Sequence, residues 1–231
     1  MKKGYAILIG IDDDDIHGCV FDVNHIKTVL NKYYSVPTSN IIKITSDTSS
    51  IHTSSIFEQI QFSLDHLIEH DKKENLSYVW VHVSSHGKQI SHDHSSVFKI
   101  GEGKYVSSKF ITRELSKLSS SCEILITMDY CHSGYYHQLP YLYETHPKGL
   151  SKKYVKLWNE LDYEYHPRMY CIASTSNHYS GDVLYEGDDT YGGAFTKAWL
   201  DGLKHHQYNI SLPELFKTIQ KIMKIRNHNQ Q

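Results

Sequence analysis

The chain is short of cysteine and has no long apolar run, and each shortage excludes a class of protein. Four cysteines in 231 residues, none in Cys-x-x-Cys spacing, predict neither a disulfide framework nor a zinc site. The apolar stretch Tyr5–Ile11 is far shorter than the ~18 residues that a membrane-spanning helix needs. It also runs into four aspartates, Asp12–Asp15, where a secretory signal would carry small residues and a cleavage site. We therefore expect a cytoplasmic protein with reduced thiols, without a signal peptide or a membrane segment.

The sequence also lacks an excess of basic residues. The formal net charge is −2, with 24 Lys and Arg against 26 Asp and Glu, and the sequence has no long basic run. Without a basic field, we expect no nucleic-acid partner. The 39% hydrophobic and 22% charged content is typical of a soluble globular protein. The length suits one domain, so we predict a single domain over residues 1–231 that acts as a monomer.

Short apolar runs alternate with segments of helical periodicity along most of the chain. The runs predict buried strands at Tyr5–Ile11, Ile41–Thr45, Tyr78–Ser84, Glu123–Asp129 and Met169–Ser174. The periodic segments predict helices at Val23–Leu30, Ile56–Ile68, Phe110–Leu118, Ala194–Leu203 and Leu212–Ile225, with Thr112 as a candidate cap of the third. This alternation predicts an α/β fold in which a mostly parallel sheet lies between helices.

The segment Tyr135–His166 differs from its surroundings. It is rich in Tyr, Lys, His and Pro, and its hydrophobic periodicity is weak. We predict a long connecting loop with a candidate short helix near Lys152–Leu161. A loop of this length inside a compact domain is usually functional or flexible.

Two segments place reactive side chains directly after predicted strands, namely Ser84–Gly87 and Asp129–Gly134. In α/β sheets the chemistry gathers at the carboxyl ends of the strands. A cysteine attacks a carbonyl only as a thiolate, so Cys131 and His86 at neighbouring strand ends would form a nucleophile and its base. From the residues alone, a buried apolar Cys131 and a surface His86 are the more economical interpretation.

Six short motifs, which occur along the chain in the order expected for one family, change that balance. Ser84–Gly87 and Asp129–Gly134 closely resemble the metacaspase patterns Ser-Gly-His-Gly and Asp-Ser-Cys-His-Ser-Gly. Gly18–Asp22 resembles Gly-Cys-x-Asn-Asp of the same family, with Phe in place of Asn. Tyr5–Ile11 is similar to the family's opening strand, and Cys171–Ser174 and Gly193–Thr196 are similar to its small-subunit strand and its Gly-Ala-Phe-Thr helix start. From Tyr5 to about Leu203 the chain resembles a caspase/metacaspase-type cysteine peptidase.

The resemblance implies a fold and a catalytic dyad. The fold would be the caspase-like three-layer sandwich, with residues 1–134 as the large-subunit-like part, 135–168 as a linker and 169–231 as the small-subunit-like part. Cys131 would be the nucleophile and His86 the general base, and the backbone N–H groups of Gly87 and Cys131 would form the oxyanion hole. His132 adjoins the nucleophile, but neighbouring residues of an extended segment point apart, so we assign it no catalytic role.

The resemblance also implies a substrate class. Metacaspases cleave after Arg or Lys, and the matching acidic pocket here would consist of Asp22 and Asp129, with Cys19 and Ser84 in its walls. Two carboxylates suit a guanidinium, because each accepts charge-assisted hydrogen bonds. From the residues alone, Asp129 could instead cap the turn after its strand, and Asp22 could stabilise the start of its helix.

The sequence departs from the family where many metacaspases bind calcium. The segment Lys88–Thr112 has only Asp93 and Glu102 as acids, and calcium prefers six to eight oxygen ligands. We therefore expect no calcium site, no other metal and no cofactor. For Asp12–Asp15 an exposed acidic loop is expected rather than a cation site. No cysteine or acid completes a tetrahedral zinc set with the histidines His82, His86, His92 and His94.

Three questions stay open at this stage. The linker region contains Lys148, Lys152, Lys153, Lys156 and Arg168, where a protease specific for basic residues could cut itself, but these residues could equally keep a solvated loop soluble. The fold could also serve as an inactive scaffold that binds partners. A related protease could have another preference, such as Asp or Asn at the cleaved position.

Overall fold

The structure is a computed structural model. It describes residues 3–47, 55–90, 95–135, 139, 141–146, 149–154, 167–174, 182–185 and 190–225. Within these ranges, no helix has both the length and the apolar character needed to cross a bilayer.

The described residues form strands and helices that alternate through the first half of the chain. The strands are β1 Gly4–Gly10, β2 Ile41–Thr45, β3 Tyr78–Ser84, β4 Gly87–Gln89, β5 Ser96–Gly101, β6 Lys104–Ser107, β7 Glu123–Asp129, β8 Tyr141–His146, β9 Gly149–Tyr154, β10 Arg168–Ala173, β11 Asp182–Tyr185 and β12 Thr190–Gly193. The helices are α1 Cys19–Tyr33, α2 Ile56–Glu74, α3 Ser108–Leu115, α4 Ala194–His205 and α5 Leu212–Ile225.

A five-stranded parallel sheet in the order β10-β7-β3-β1-β2 forms the middle layer. One apolar cluster joins its first face to α2 and α3, and a second joins its other face to α1, α4 and α5. Both faces of the inner strands are therefore covered, which is why β1 is buried along its whole length. The predicted three-layer α/β sandwich is confirmed.

The register of the sheet aligns the ends of three strands. Gly10 of β1 pairs with Ser84 of β3, and Ser84 pairs in turn with Asp129 of β7. Ile11 N–H then donates to the Ser84 carbonyl, and Ser85 N–H donates to the Asp129 carbonyl. The loops that follow these strands consequently leave the sheet side by side, at its carboxyl edge.

The local structure differs from the sequence predictions in two places. Ser107, not Thr112, caps α3, and the Thr112 hydroxyl donates to the Ser108 carbonyl inside the helix. The predicted loop after residue 135 contains an antiparallel hairpin of β8 and β9. Because β9 runs to Tyr154, the predicted helix near Lys152–Leu161 is wrong over its first three residues, and the rest of it lies outside the described residues.

Strands β4, β5 and β6 form a small antiparallel sheet that the sequence did not predict, and β11 and β12 form an unpredicted hairpin. These strands are three to six residues long, which is too short for a reliable hydrophobic period. Both additions border the carboxyl edge of the main sheet, because Gly87 opens β4 and Gly193 ends β12.

Candidate active site

A cavity of about 300 Å³ lies at the carboxyl edge, where the loops after β1, β3 and β7 meet the end of β12. Its walls combine a thiol, imidazoles and carboxylates. The residues that line it are Asp15, Ile16, His17, Cys19, Ser84, Ser85, His86, Gly87, Asp129, Cys131 and Gly193.

Cys131 and His86 line this cavity from neighbouring strands. The backbones that carry them are in direct contact at Gly87. A methyl group at Gly87 would lie 2.5 Å from the Cys131 carbonyl oxygen and 2.2 Å from Cδ2 of the Tyr130 ring. Only glycine permits this approach, so the position next to His86 packs directly against the segment that carries the thiol. The predicted nucleophile, the predicted base and Gly87 thus come together.

The peptide after Cys131 turns sharply. His132 has a φ of 61°, in the left-handed region that a residue with a side chain rarely adopts. Such conformations concentrate at functional sites, where the surrounding structure holds them in place. Tyr130 anchors the other side of the turn, since its fully buried ring packs against Phe98 of β5.

The other three cysteines are poor nucleophiles. Burial raises the pKa of the Cys19 thiol well above its ordinary value; a hydrogen bond with Ser84 works the other way, and the charge of Asp22 adds to the rise. Burial likewise raises the pKa of Cys122 to about 12 and raises that of Cys171. Cys131 is partly exposed on the cavity, which makes it the accessible thiol of this site.

Asp22 does not itself line the cavity and is fully buried in the first turn of α1. Because it is bonded to lining residues, we group it with Asp129 as the floor of the site. The Oδ2 atom of Asp22 accepts hydrogen bonds from the Ser84 hydroxyl, at 2.9 Å, and from Gly193 N–H, at 2.9 Å. The helix start also needs Gly18, whose φ is 106° and whose Cα comes so close to β12 that a methyl group would lie 1.9 Å from the Tyr191 carbonyl oxygen. The predicted wall residue Cys19 follows directly and is buried beside the cavity.

Asp129 forms the second half of the floor and is 3% exposed. Its Oδ2 accepts from Thr196 N–H at 2.9 Å and from the Thr196 hydroxyl at 2.7 Å, so it caps the first turn of α4. A methyl group at Gly193 would lie 2.0 Å from Asp129 Oδ2 and 3.1 Å from Asp22 Oδ2. The two predicted pocket acids therefore flank one glycine, and Ser84, the other predicted wall residue, is bonded to one of them.

The expected exposed loop Asp12–Asp15 is only half exposed, and this expectation needs correction. Asp14 and Asp15 are exposed, but Asp12 Oδ1 accepts from Cys19 N–H at 2.7 Å and so holds the start of α1. Asp13 Oδ1 lies 3.4 Å from His86 Nε2, and Asp13 Oδ2 accepts from Lys99 Nζ at 2.5 Å. The sequence analysis missed Asp13, Lys99, Gly193 and Thr196, although the last two belong to the quoted Gly-Ala-Phe-Thr motif.

One group of side chains has donor atoms close enough for a single cation. Among the described residues, these are Asp13, Asp15 and His86, with one atom of each within 4.8 Å of the others. The Lys99 ammonium already neutralises Asp13 and would repel a divalent ion. We assign no metal to this group. Of the histidines weighed for zinc, His92 and His94 lie outside the described residues.

Comparison with known proteins identifies a family and several relatives. Residues 3–231 match the family model of the caspase domain. A 170-residue stretch is 25% identical to Metacaspase-1 of Meyerozyma guilliermondii, covering 67% of this chain and 40% of that protein. A 163-residue stretch is 26% identical to Metacaspase-1A of Aspergillus oryzae, covering 64% of this chain and 38% of that protein. The match thus spans about two fifths of the length of these curated relatives.

Solved structures share the fold at lower sequence identity. The crystal structure of a Geobacter sulfurreducens protein aligns with a TM-score of 0.61 and 17% identity, over 94% of this chain and 88% of the other. Caspase-1 of Spodoptera frugiperda aligns with a TM-score of 0.56 and 14% identity, over 96% of this chain and 77% of the other. The family model covers nearly the whole sequence, and the chain therefore belongs to the caspase domain family.

Proposed function

We propose that this protein is a cysteine endopeptidase that cleaves after Arg or Lys, with Cys131 as nucleophile and His86 as base. The observation that carries the proposal is the shared cavity: a partly exposed thiol, an imidazole and the buried carboxylate of Asp129 line one opening. Asp22 lies behind this lining, bonded to Ser84 and Gly193. The cavity volume of about 300 Å³ is at the lower end of the range for small-molecule sites, and it suits one side chain of a peptide.

The preference for basic residues rests on the two floor carboxylates. Asp22 and Asp129 are both buried, and the donors to their Oδ2 atoms are neutral groups: Ser84, Gly193 and Thr196. Hydroxyl and backbone donors ease the burial of a negative charge without cancelling it. A guanidinium or ammonium group that enters the cavity would form charge-assisted hydrogen bonds to a carboxylate, and such bonds are strong.

The proposed reaction follows from these positions. His86 accepts the proton of the Cys131 thiol, and the sulfur attacks the carbonyl carbon of the basic residue. The backbone N–H groups of Gly87 and Cys131 stabilise the developing oxyanion. His86 then donates the proton to the leaving amine, and a water molecule activated by His86 hydrolyses the acyl-enzyme. Neither step needs a metal or a cofactor, and we propose activity as a monomer without calcium.

The proposal extends to self-cleavage. Of the basic residues of the predicted linker, Lys152 and Lys153 are in β9 and Arg168 opens β10, whereas Lys148 and Lys156 lie outside the described residues. Cleavage between β9 and β10 would separate the chain into a large and a small part. Intact-mass measurement of the purified protein beside Cys131→Ala would reveal such a cut as a pair of fragments that the variant lacks.

The test of activity compares fluorogenic peptides that differ only at the cleaved residue. The reduced protein should release the fluorophore after Arg or Lys and not after Asp or Asn. Cys131→Ala and His86→Ala should each abolish turnover. Cys122→Ala is the control for a thiol away from the cavity, and it should retain the activity.

Two outcomes would contradict the proposal. Turnover that is absent in the wild type, or equal in Cys131→Ala, would favour an inactive scaffold with a caspase fold. Turnover after Asp or Asn in place of Arg and Lys would retain the peptidase and remove the role of Asp22 and Asp129. Size-exclusion chromatography of the active sample would test the monomer.

A further inference from the structure

The acidic loop after β1 places Asp13 Oδ1 3.4 Å from Nε2 of the His86 ring. The geometry points to Asp13 as a positioning residue for His86, held in place by Lys99. This inference rests on the proposed function, since it assigns His86 a partner for the same reaction. It adds a third member to a site for which the sequence motifs supply only two.

Asp13 is a fixed carboxylate. Its Oδ1 accepts hydrogen bonds from Asp15 N–H at 3.0 Å and from Ile16 N–H at 3.1 Å, which closes a turn of the loop on itself. Its backbone N–H donates to the Ile16 carbonyl at 3.0 Å. The side chain is 20% exposed. An acceptor held from several directions presents one orientation to the imidazole, as a positioning group must.

Lys99 connects Asp13 to the strand that supports His86. Its ammonium donates to Asp13 Oδ2, and its backbone N–H donates to the His86 carbonyl at 2.8 Å. Ser85, the residue before His86, donates through its hydroxyl to the Lys99 carbonyl at 2.7 Å. One residue of β5 thus fixes both the loop that carries the carboxylate and the backbone that carries the base.

The charges around Asp13 favour its ionised form. Partial burial opposes the charge, but the hydrogen bond from Lys99, the backbone N–H groups and the nearby His86 ring together hold the pKa of Asp13 below its usual range. A carboxylate fixed 3.4 Å from Nε2 of His86 holds the imidazole ring in one orientation while the thiol gives up its proton.

Asp13 acts on the orientation of the His86 ring and on the charge around it during the reaction, and it does not bind the substrate. A positioned acid–base group contributes about 10²-fold to 10⁴-fold to the rate, and part of that depends on what orients it. Loss of Asp13 should therefore lower kcat by about tenfold to a hundredfold and leave KM within about twofold.

The test replaces Asp13 with asparagine. Asp13→Asn removes the charge and keeps an amide oxygen that can accept from Asp15 and Ile16, so the loop should keep its turn. Asp14→Asn is the matched control, since it removes an exposed charge one residue away. The steady-state kinetics of both variants are measured with one Arg peptide, in buffer with EDTA. A fall in kcat confined to Asp13→Asn supports the assignment, and equal kinetics in the two variants overturn it.

A second measurement does not depend on peptide cleavage. The rate at which iodoacetamide alkylates Cys131, followed by mass spectrometry of its peptide, reports how readily the thiolate forms beside His86. Asp13→Asn and His86→Ala should both slow this reaction several-fold, whereas Asp14→Asn should not. Slower alkylation in a protein that cleaves no peptide would support the positioning role and count against the peptidase. Normal alkylation with normal cleavage would overturn the positioning role alone.

Lys99 provides an independent arm in case Asp13→Asn folds poorly. Lys99→Met should lower kcat by about threefold, because the carboxylate loses the group that holds it. In the Asp13→Asn background, the same change should have no further effect on kcat, since Lys99 acts through Asp13. An equal loss in both backgrounds would contradict the connection between the two residues.

Discussion

Aspartates occupy two regions at or beside the same cavity and differ in what surrounds them. The floor, Asp22 and Asp129, is buried and is bonded to hydroxyl and backbone donors. The rim, Asp13, is partly exposed and is bonded to a lysine. The floor accepts hydrogen bonds from neutral groups and the rim accepts one from a lysine, so we assign the floor to a cationic substrate and the rim to its close neighbour His86. The surroundings, rather than the residue type, thus separate a binding group from a positioning group.

The largest expected effect comes from removing the charge of the floor. Asp129→Asn should lower kcat/KM for an Arg peptide by about 10²-fold to 10³-fold, because a buried partner of a desolvated cation is lost. A citrulline peptide, the uncharged isostere of Arg, should be affected far less. Measuring kcat/KM for both peptides gives the Arg-to-citrulline ratio, which should collapse in Asp129→Asn.

The rim variant is the control for this comparison. Asp13→Asn should slow both peptides by the same factor and leave the Arg-to-citrulline ratio unchanged. If that ratio falls equally in both variants, the distinction between floor and rim is wrong.

A second test changes the shape of the floor without removing a charge. In Gly193→Ala the new methyl group would lie 2.0 Å from Asp129 Oδ2, and the backbone φ of −63° is one that alanine adopts easily. The carboxylate must therefore move, and kcat/KM for the Arg peptide should fall by about tenfold to a hundredfold, mainly through KM. Gly202→Ala inside α4 is the control: its tight contact is with the flexible end of Leu215, at 2.9 Å, and its other two contacts, also with α5, are of ordinary length, so KM should be unchanged. Unchanged kinetics in Gly193→Ala would mean that the floor does not contact substrate.

The floor was largely predictable from sequence and the rim was not. The resemblance to metacaspases predicted Asp22 and Asp129, whereas from the residues alone Asp129 could have capped a turn and Asp22 could have stabilised its helix start. The contact between Asp13 and Lys99 joins residues 86 positions apart and depends on β5, a strand of six residues beside the main sheet. Lys99 is a polar, partly exposed residue within the apolar run of β5. The hydrophobic pattern of this segment therefore predicted neither the strand nor the partner of Lys99.

The glycines show the same limit. Gly193 was part of a quoted motif, but its sequence neighbours do not reveal that two carboxylates 171 and 64 residues away would leave no space for a methyl group. Close approach of this kind depends on how α4 packs against the sheet, which is a property of the assembled core. The resemblance to the family motif identified the segment that contains Gly193. Only the packed structure shows why that position must be glycine.

His82 lies on the same face of β3 as Ser84, which is bonded to the floor. Because its imidazole is buried, the pH dependence of the free energy of unfolding tests how this region is packed. His82 is 1% exposed, its Nδ1 lies 2.8 Å from the Thr127 hydroxyl oxygen, and burial lowers its pKa to about 3. The unfolded chain, with an ordinary value near 6.5, binds the proton more readily. Stability is therefore fully present above pH ~6.5 and is lost progressively as the pH falls toward ~3.

Between pH 7.5 and pH 5, this histidine should remove about 2 kcal/mol of the free energy of unfolding. In His82→Asn, which keeps a polar atom near Thr127, that part of the pH dependence should disappear. Urea unfolding at the two pH values measures it, and His205→Asn on the exposed surface is the control. An identical loss in wild type and His82→Asn would show that this buried ring does not couple folding to protons.

The smallest expected effect is that of calcium, and it tests whether either region serves a metal. Calcium prefers six to eight oxygen ligands. In the floor, Asp22 and Asp129 already accept hydrogen bonds from neutral donors, and in the rim Lys99 already pairs with Asp13. Glu102 is the one acid among residues 95–112 of the segment after His86. EDTA or added calcium should therefore change kcat/KM for the Arg peptide by less than about twofold. A tenfold activation by calcium would contradict this expectation. If that activation were lost in Asp13→Asn but kept in Asp129→Asn, the rim carboxylate would bind a cation in place of Lys99.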